Sequence, residues 1–198
     1  YSMEENIEKT KPIVEICHSI QVGVEGEIGH VGQAANLDGR DESLYTTPAD
    51  AAYFAKATGV DCLAVAIGTA HGKYPEGFVP HINFELLKKI KEATGNMPIA
   101  LHGGSGSGDE NIRKAVAAGI KKINLATDLQ EAAKKGAAEA YENGGDYMKT
   151  IQNAELCCKN LLMHWIDLSG SAGRAKDIRL PYTFSQLQGD NKNNSVEE

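Results

Sequence analysis

Three times in succession the chain runs through a helical segment, a glycine, a short apolar segment and then a polar stretch, and this rhythm narrows the choice of fold more than any other feature. Residues 48–58 end at Gly59 and are followed by DCLAVAI (61–67) and then Gly68-Thr69-Ala70-His71-Gly72. Residues 83–94 end at Gly95 and are followed by MPIALH (97–102) and then Gly103-Gly104-Ser105-Gly106. Residues 109–118 end at Gly119 and are followed by IKKINL (120–125), then Ala126-Thr127-Asp128 and a helix to about residue 142. A first unit precedes these, with helical spacing over 4–19 and a strand over 20–28. Short, continuously apolar strands alternating with glycine-stopped helices predict an α/β fold with a parallel sheet and right-handed connections. Between the first two units, residues 29–46 are rich in Gly, Asn and Asp and lack periodicity. They read as a long loop, a kind of segment that is usually functional. Thr47 and Pro48 mark the next helix start.

With 198 residues, 41% of them hydrophobic, the chain can bury one substantial core. A net charge of −7, with no basic run longer than Lys88-Lys89, Lys121-Lys122 and Lys134-Lys135, argues against nucleic acid and anionic membrane as partners. No apolar run approaches the ~20 residues that span a bilayer, and no basic-then-apolar leader opens the chain, so a soluble, cytoplasmic protein is expected. Cys17, Cys62, Cys157 and Cys158 have no C-x-x-C spacing and read as reduced core fillers.

The polar residues gather at one end of the strands, the end at which parallel sheets and β/α barrels carry their ligand sites. His71 and His102 stand 31 residues apart at matching positions of consecutive units, so neighbouring strands would hold their imidazoles side by side, as one edge of a zinc site. Glu27 on the adjoining strand is a third or alternate ligand, or else a salt-bridged surface group; spacing alone favours the latter. A histidine at a strand end is also commonly structural, and that reading is kept for His18, His30, His81 and His164. The bare backbone of Gly103, Gly104 and Ser105 beside a helix start at Asp109-Glu110 suits a phosphate, although glycine turns also serve chain reversal alone. Asn124 and Thr127 at the next strand end add an amide and a hydroxyl.

The stretches VEGEIGHVGQ (24–33), YTTPADAAYFAKATGVDCLAVAIGTAHGKYP (45–75), LHGGSGSGDENIRKAVAAGIKKINLATDLQEA (101–132) and SGSAGRA (169–175) together resemble the class II, zinc-dependent ketose-bisphosphate aldolases, nearest to the fructose/tagatose-bisphosphate branch. The resemblance implies a (β/α)8 TIM barrel that reversibly cleaves a ketose 1,6-bisphosphate to dihydroxyacetone phosphate and glyceraldehyde 3-phosphate. It implies that His71 and His102 are two of three zinc histidines and that Glu27 holds the metal in an alternate position. Gly72, Gly103, Gly104, Ser105, Asn124, Ala126 and Thr127 match the substrate and phosphate contacts, with a monovalent cation (Na+ or K+) nearby. Zn2+ would polarise the oxygens of the dihydroxyacetone portion, so that charge developing as the C3–C4 bond breaks is stabilised.

Two departures qualify this. The family's first zinc histidine directly follows its catalytic aspartate, and this chain contains no Asp-His pair. The resemblance sets Tyr1 about halfway into the barrel, so residues 1–175 would supply four of eight strands plus C-terminal helices. The expectation is a fragment, inactive alone, with exposed edges that favour a homo-oligomer (dimer or tetramer) or association with an N-terminal half. The second departure lies in the loop after Glu27. There the family's acidic residue is replaced by Gln33-Ala34-Ala35-Asn36, leaving Asp38, Asp41 or Glu42 to supply an acid. A non-catalytic sugar-phosphate-binding or assembly module is the alternative, with an isomerase or epimerase on a phosphate-binding barrel as a weaker one. Residues 176–198 are expected to be a polar, disordered tail.

Overall fold

The computed structural model describes residues 1–177. Helix α1 (Met3–Ser19) leads into strand β1 (Glu25–Ile28), followed by three short 3-10 turns at 34–36, 38–40 and 42–44. Then come α2 (Pro48–Thr58), β2 (Cys62–Val65), α3 (Phe84–Ala93), β3 (Ile99–Leu101), α4 (Asp109–Ala118), β4 (Ile120–Ile123), α5 (Thr127–Glu142) and α6 (Tyr147–Leu168). The four strands form one sheet in the order β1-β2-β3-β4, every pair parallel. A parallel sheet whose spatial order follows the sequence has no switch point, which is the arrangement of an arc of a β/α barrel and not of a doubly wound sheet. Among the described residues β1 and β4 pair on one side only.

The helices begin and end for local reasons. Ser2 and Glu5 form a capping box at α1, and Thr47 accepts the Asp50 N–H with Pro48 in the first turn of α2. Gly59 and Gly119 close α2 and α4 in the left-handed region. The first strand is shorter than the predicted 20–28. Gln21 takes φ +60, its N–H bonds the His18 carbonyl and the Val22 N–H bonds the Cys17 carbonyl, so residues 20–22 finish the helix rather than extend. The loop 29–46 is also more ordered than its composition suggests, because its 3-10 turns bond internally. None of the four cysteines enters the buried core; all are half-buried and free. Of the expected tail, residues 176 and 177 lie in a 3-10 turn (Arg174–Asp177), and 178–198 lie outside the described residues.

The two faces of the sheet differ. Register aligns Glu27 with Ala64, Ala64 with Ala100, and Ala100 with Lys122. The period-2 alternation of strands therefore sets Glu25, Glu27, Cys62, Ala64, Ala100 and Lys122 on one face. Leu63, Val65, Ile99 and Leu101 on the other face are fully buried and join Phe54, Ile67, Leu87, Ile90, Ile112 and Ala115 in the core beneath the helices. Small and charged residues thus share the face that a closed barrel turns inward.

Buried Thr46 ties the loop to the sheet, since its Oγ1 donates to the Ile28 carbonyl (2.8 Å) and accepts the Ala66 N–H (2.9 Å). Thr46→Val retains the shape and strands both backbone groups, so chemical denaturation should report a loss of about 1–3 kcal/mol. An unchanged midpoint would mean that water replaces the hydroxyl.

Candidate metal centre

Glu27 projects from β1, while His71 and His102 follow β2 and β3, so three consecutive strands deliver three polar groups to their C-terminal ends. One ligand atom of each of Glu27, His71 and His102 lies within 4.8 Å of the others. The imidazole centroids are 5.9 Å apart, with the rings tilted by 51°. Ala64 and Ala100 keep the face between β1 and β3 low enough for Glu27 to reach His102, and Glu27 Oε2 lies 3.0 Å from His102 Nδ1.

Two groups that the sequence reading passed over complete the cluster. Glu25 Oε1 is hydrogen-bonded to His102 Nε2 at 3.0 Å, and Glu25 Oε2 pairs with Lys122 Nζ at 2.9 Å. His102 thus sits between two carboxylates with only 12% of its side chain exposed. The signal for Glu25 was present, because residues i and i+2 of a strand share a face and Glu27 was already singled out. Nothing in spacing announces Lys122.

The neighbouring charges shift the titrations. The Glu27 carboxylate, with Glu25 adding to it, raises His102 above the usual histidine value against the opposing effect of burial. His102 in turn holds Glu27 below the usual glutamate value. Burial works against ionisation of Glu25, but Lys122 and His102 outweigh it and lower its pKa. Burial first and the Glu25 charge second push the Cys62 thiol up to about 11, so it stays protonated and unreactive at neutral pH. These directions fix a pH dependence. A raised histidine contributes stability that is complete below the ordinary value near 6.5 and is lost as pH rises through its folded value. With a chelator present, the melting midpoint should therefore fall as pH is raised above neutrality, and His102→Gln should flatten that slope. An unaltered slope in the variant would assign it to other groups.

The backbone holds both histidines. Thr69 Oγ1 donates to the His102 carbonyl (2.7 Å). The His71 N–H donates to the Gly32 carbonyl (2.7 Å), and the His71 carbonyl accepts the Ala34 N–H (2.8 Å), so the long loop pairs with the segment after β2. Within that loop Asp38 accepts the Gln33 N–H (2.7 Å) and Asp41 accepts from Ser43, so both carboxylates serve loop structure.

Beside the cluster, Gly103 takes φ +66 directly against the backbone of Ala70, and Gly104 approaches Ile123 and Asn124. Gly72 takes φ +97 next to Gln33. Buried Ser105 accepts the Asp128 N–H (3.3 Å), and Asp128 accepts the Gly106 N–H (3.3 Å). This seats the glycine loop against the start of α5, where Ala126 is the cap residue and Thr127 the first helical residue, while the Asn124 N–H bonds the Leu101 carbonyl (3.2 Å). The histidines read as structural do not join the cluster: His18 pairs with Asp61 and His164 with Asp109 at the surface, and His30 is exposed.

A parallel β/α arc that brings two imidazoles and a carboxylate to the C-terminal rim defines the class, a barrel-type protein with a three-residue cluster of metal-ligating character. The family model "Fructose-bisphosphate aldolase class-II" matches residues 1–174, and the chain belongs to that family. It is 38% identical over 180 residues to the "Uncharacterized protein YdjI" of Escherichia coli (strain K12), covering 89% of this chain and 62% of that protein. The crystal structure of the E. coli K12 YdjI aldolase superposes with a TM-score of 0.74 at 35% identity, covering 88% of this chain and 59% of that one. A structure described as a putative fructose-1,6-biphosphate aldolase from Coccidioides immitis gives 0.76 at 25% identity, covering 90% and 62%. The chain spans about three fifths of the length of these relatives.

Proposed function

We propose that this chain is the metal- and phosphate-binding part of a zinc-dependent aldolase that cleaves or condenses a ketose 1,6-bisphosphate, fructose or tagatose, through dihydroxyacetone phosphate and glyceraldehyde 3-phosphate. The observation that carries the reading is the meeting of Glu27, His71 and His102 beside Gly103–Ser105. The donor set fits zinc, which takes imidazole nitrogen and carboxylate oxygen at about 2.0–2.2 Å. When bound, zinc supplies a Lewis acid for the substrate's carbonyl and hydroxyl oxygens. The chain's own part is to hold and orient. His71 and His102 fix the ion, Glu27 offers an alternate ligand, and Gly72, Gly103, Gly104, Ser105, Asn124, Ala126 and Thr127 seat a phosphate, with a monovalent cation (Na+ or K+) close by. The absence of an Asp-His pair supports the further proposal that the chain alone does not turn over, since no aspartate stands before a ligand histidine to exchange a proton with substrate. Exposed Leu156, Met163 and Ile166 on α6, and the single-sided pairing of β1 and β4 among the described residues, support a homo-oligomer or association with an N-terminal half. A cytoplasmic location belongs to the same reading.

Zinc titration of the chain, combined with a coupled assay of fructose and tagatose bisphosphate cleavage with and without chelator, tests the proposal. Expected are one zinc per chain, chelator-sensitive binding of dihydroxyacetone phosphate and no turnover by the chain alone. Chelator-insensitive cleavage would overturn the zinc reading. Tight, metal-independent sugar-phosphate binding would favour the non-catalytic module.

A further inference from the structure

We propose that Glu25 is a positioning residue of the metal centre, which acts through His102 and is itself anchored by Lys122. The inference rests on the metal-binding reading above and adds a residue outside the proposed ligand set. Glu25 and Glu27 lie two residues apart on β1 and therefore share a face, yet they meet opposite sides of one imidazole, Oε1 of Glu25 at Nε2 and Oε2 of Glu27 at Nδ1, each at 3.0 Å. A neutral imidazole has one N–H and one lone pair. In the proposed tautomer Nε2–H is donated to Glu25 and the lone pair lies on Nδ1, on the side of Glu27 where the ion would sit. A carboxylate behind a ligand histidine fixes its tautomer, restrains ring rotation and increases its basicity.

Glu25 suits this task because Oε1 is hydrogen-bonded to the ring, while its buried second oxygen has no hydrogen-bond partner and lies 2.9 Å from Lys122 Nζ as an ion pair. Lys122 comes from β4, the far strand of the sheet, so the pair spans the face from its first strand to its last and keeps the carboxylate from swinging towards the ion. Only 23% of the Glu25 side chain is exposed, so water competes weakly for these contacts.

Zinc affinity by competition with a chromophoric chelator should be compared for the unaltered chain, Glu25→Ala and the near-isosteric Glu25→Gln. Long-range 1H–15N imidazole spectra of the metal-free proteins, taken up to the pH at which the ring nitrogens of His102 show a neutral imidazole, report the tautomer. The expected result is Nε2-protonated His102 in the unaltered chain, loss of that preference in Glu25→Ala with zinc binding weakened about 10–100-fold, and retention of the tautomer in Glu25→Gln with the smaller loss, because the amide oxygen still accepts the Nε2–H. An unchanged tautomer and affinity in Glu25→Ala would overturn the proposal. So would loss of zinc in Glu25→Gln as complete as in His102→Ala, because Glu25 would then be a ligand. If the unaltered chain binds no zinc, the proposed function fails, and the tautomer comparison still decides the role of Glu25.

Discussion

His102→Ala is expected to abolish stoichiometric zinc binding, weakening affinity by more than about 100-fold, since partners that only support a ligand already cost 10–100-fold. The reason is both numerical and electrostatic. Removing the imidazole takes one nitrogen from a cluster of three candidate ligand groups and leaves Glu25 and Glu27 without the ring that both contact. His164→Ala serves as the control, because that ring pairs with Asp109 on the surface and its loss should leave zinc content unchanged. Full zinc occupancy in His102→Ala, measured by elemental analysis after gel filtration, would make His102 a structural group.

Gly103→Ala should be strongly damaging to the rim beside the candidate metal centre. Gly103 has φ +66, a left-handed conformation that costs a residue with a Cβ about 1–2 kcal/mol, and the added carbon would stand 2.6 Å from the Ala70 carbonyl oxygen. That oxygen is backbone and cannot rotate away. Together the two effects should cost about 3–4 kcal/mol and lower the melting midpoint by roughly 6–15 °C. Gly77→Ala separates them, since Gly77 has φ +76 with nothing within 4 Å of the added carbon, and only the conformational part remains. Equal losses in the two variants would show that the loop at Gly103 yields easily.

Much of this was legible from residues acting locally. Gly59, Gly119 and the Thr47-Pro48 pair announce helix ends because the conformations they favour are needed there, and those boundaries agree within a residue or two. The sequential parallel sheet follows from apolar runs too short to be helices. The strand lengths were not legible. Gln21 finishes α1 in a left-handed turn that composition does not signal, so strand character over 20–22 gives way to helix termination and β1 starts only at Glu25. At the site, the matched positions of His71 and His102 were visible, whereas the partners of His102 were not. Glu25 is 77 residues away in sequence, and its reach across β2 depends on Ala64 and Ala100 being small. Among the loop acids Asp38, Asp41 and Glu42, Asp38 accepts the Gln33 N–H and Asp41 the Ser43 N–H, contacts that composition does not signal.

The backbone pairing of His71 with Gly32 and Ala34 couples two parts of the molecule that are otherwise discussed apart. If the 30–44 segment moves, it must either part from His71 or carry that candidate ligand with it. A captured ion would then act as a latch on that segment, and the Ala34 amide proton, sealed by the His71 carbonyl, becomes a clock for the latch, its solvent exchange slowing when zinc is added and quickening when it is withdrawn.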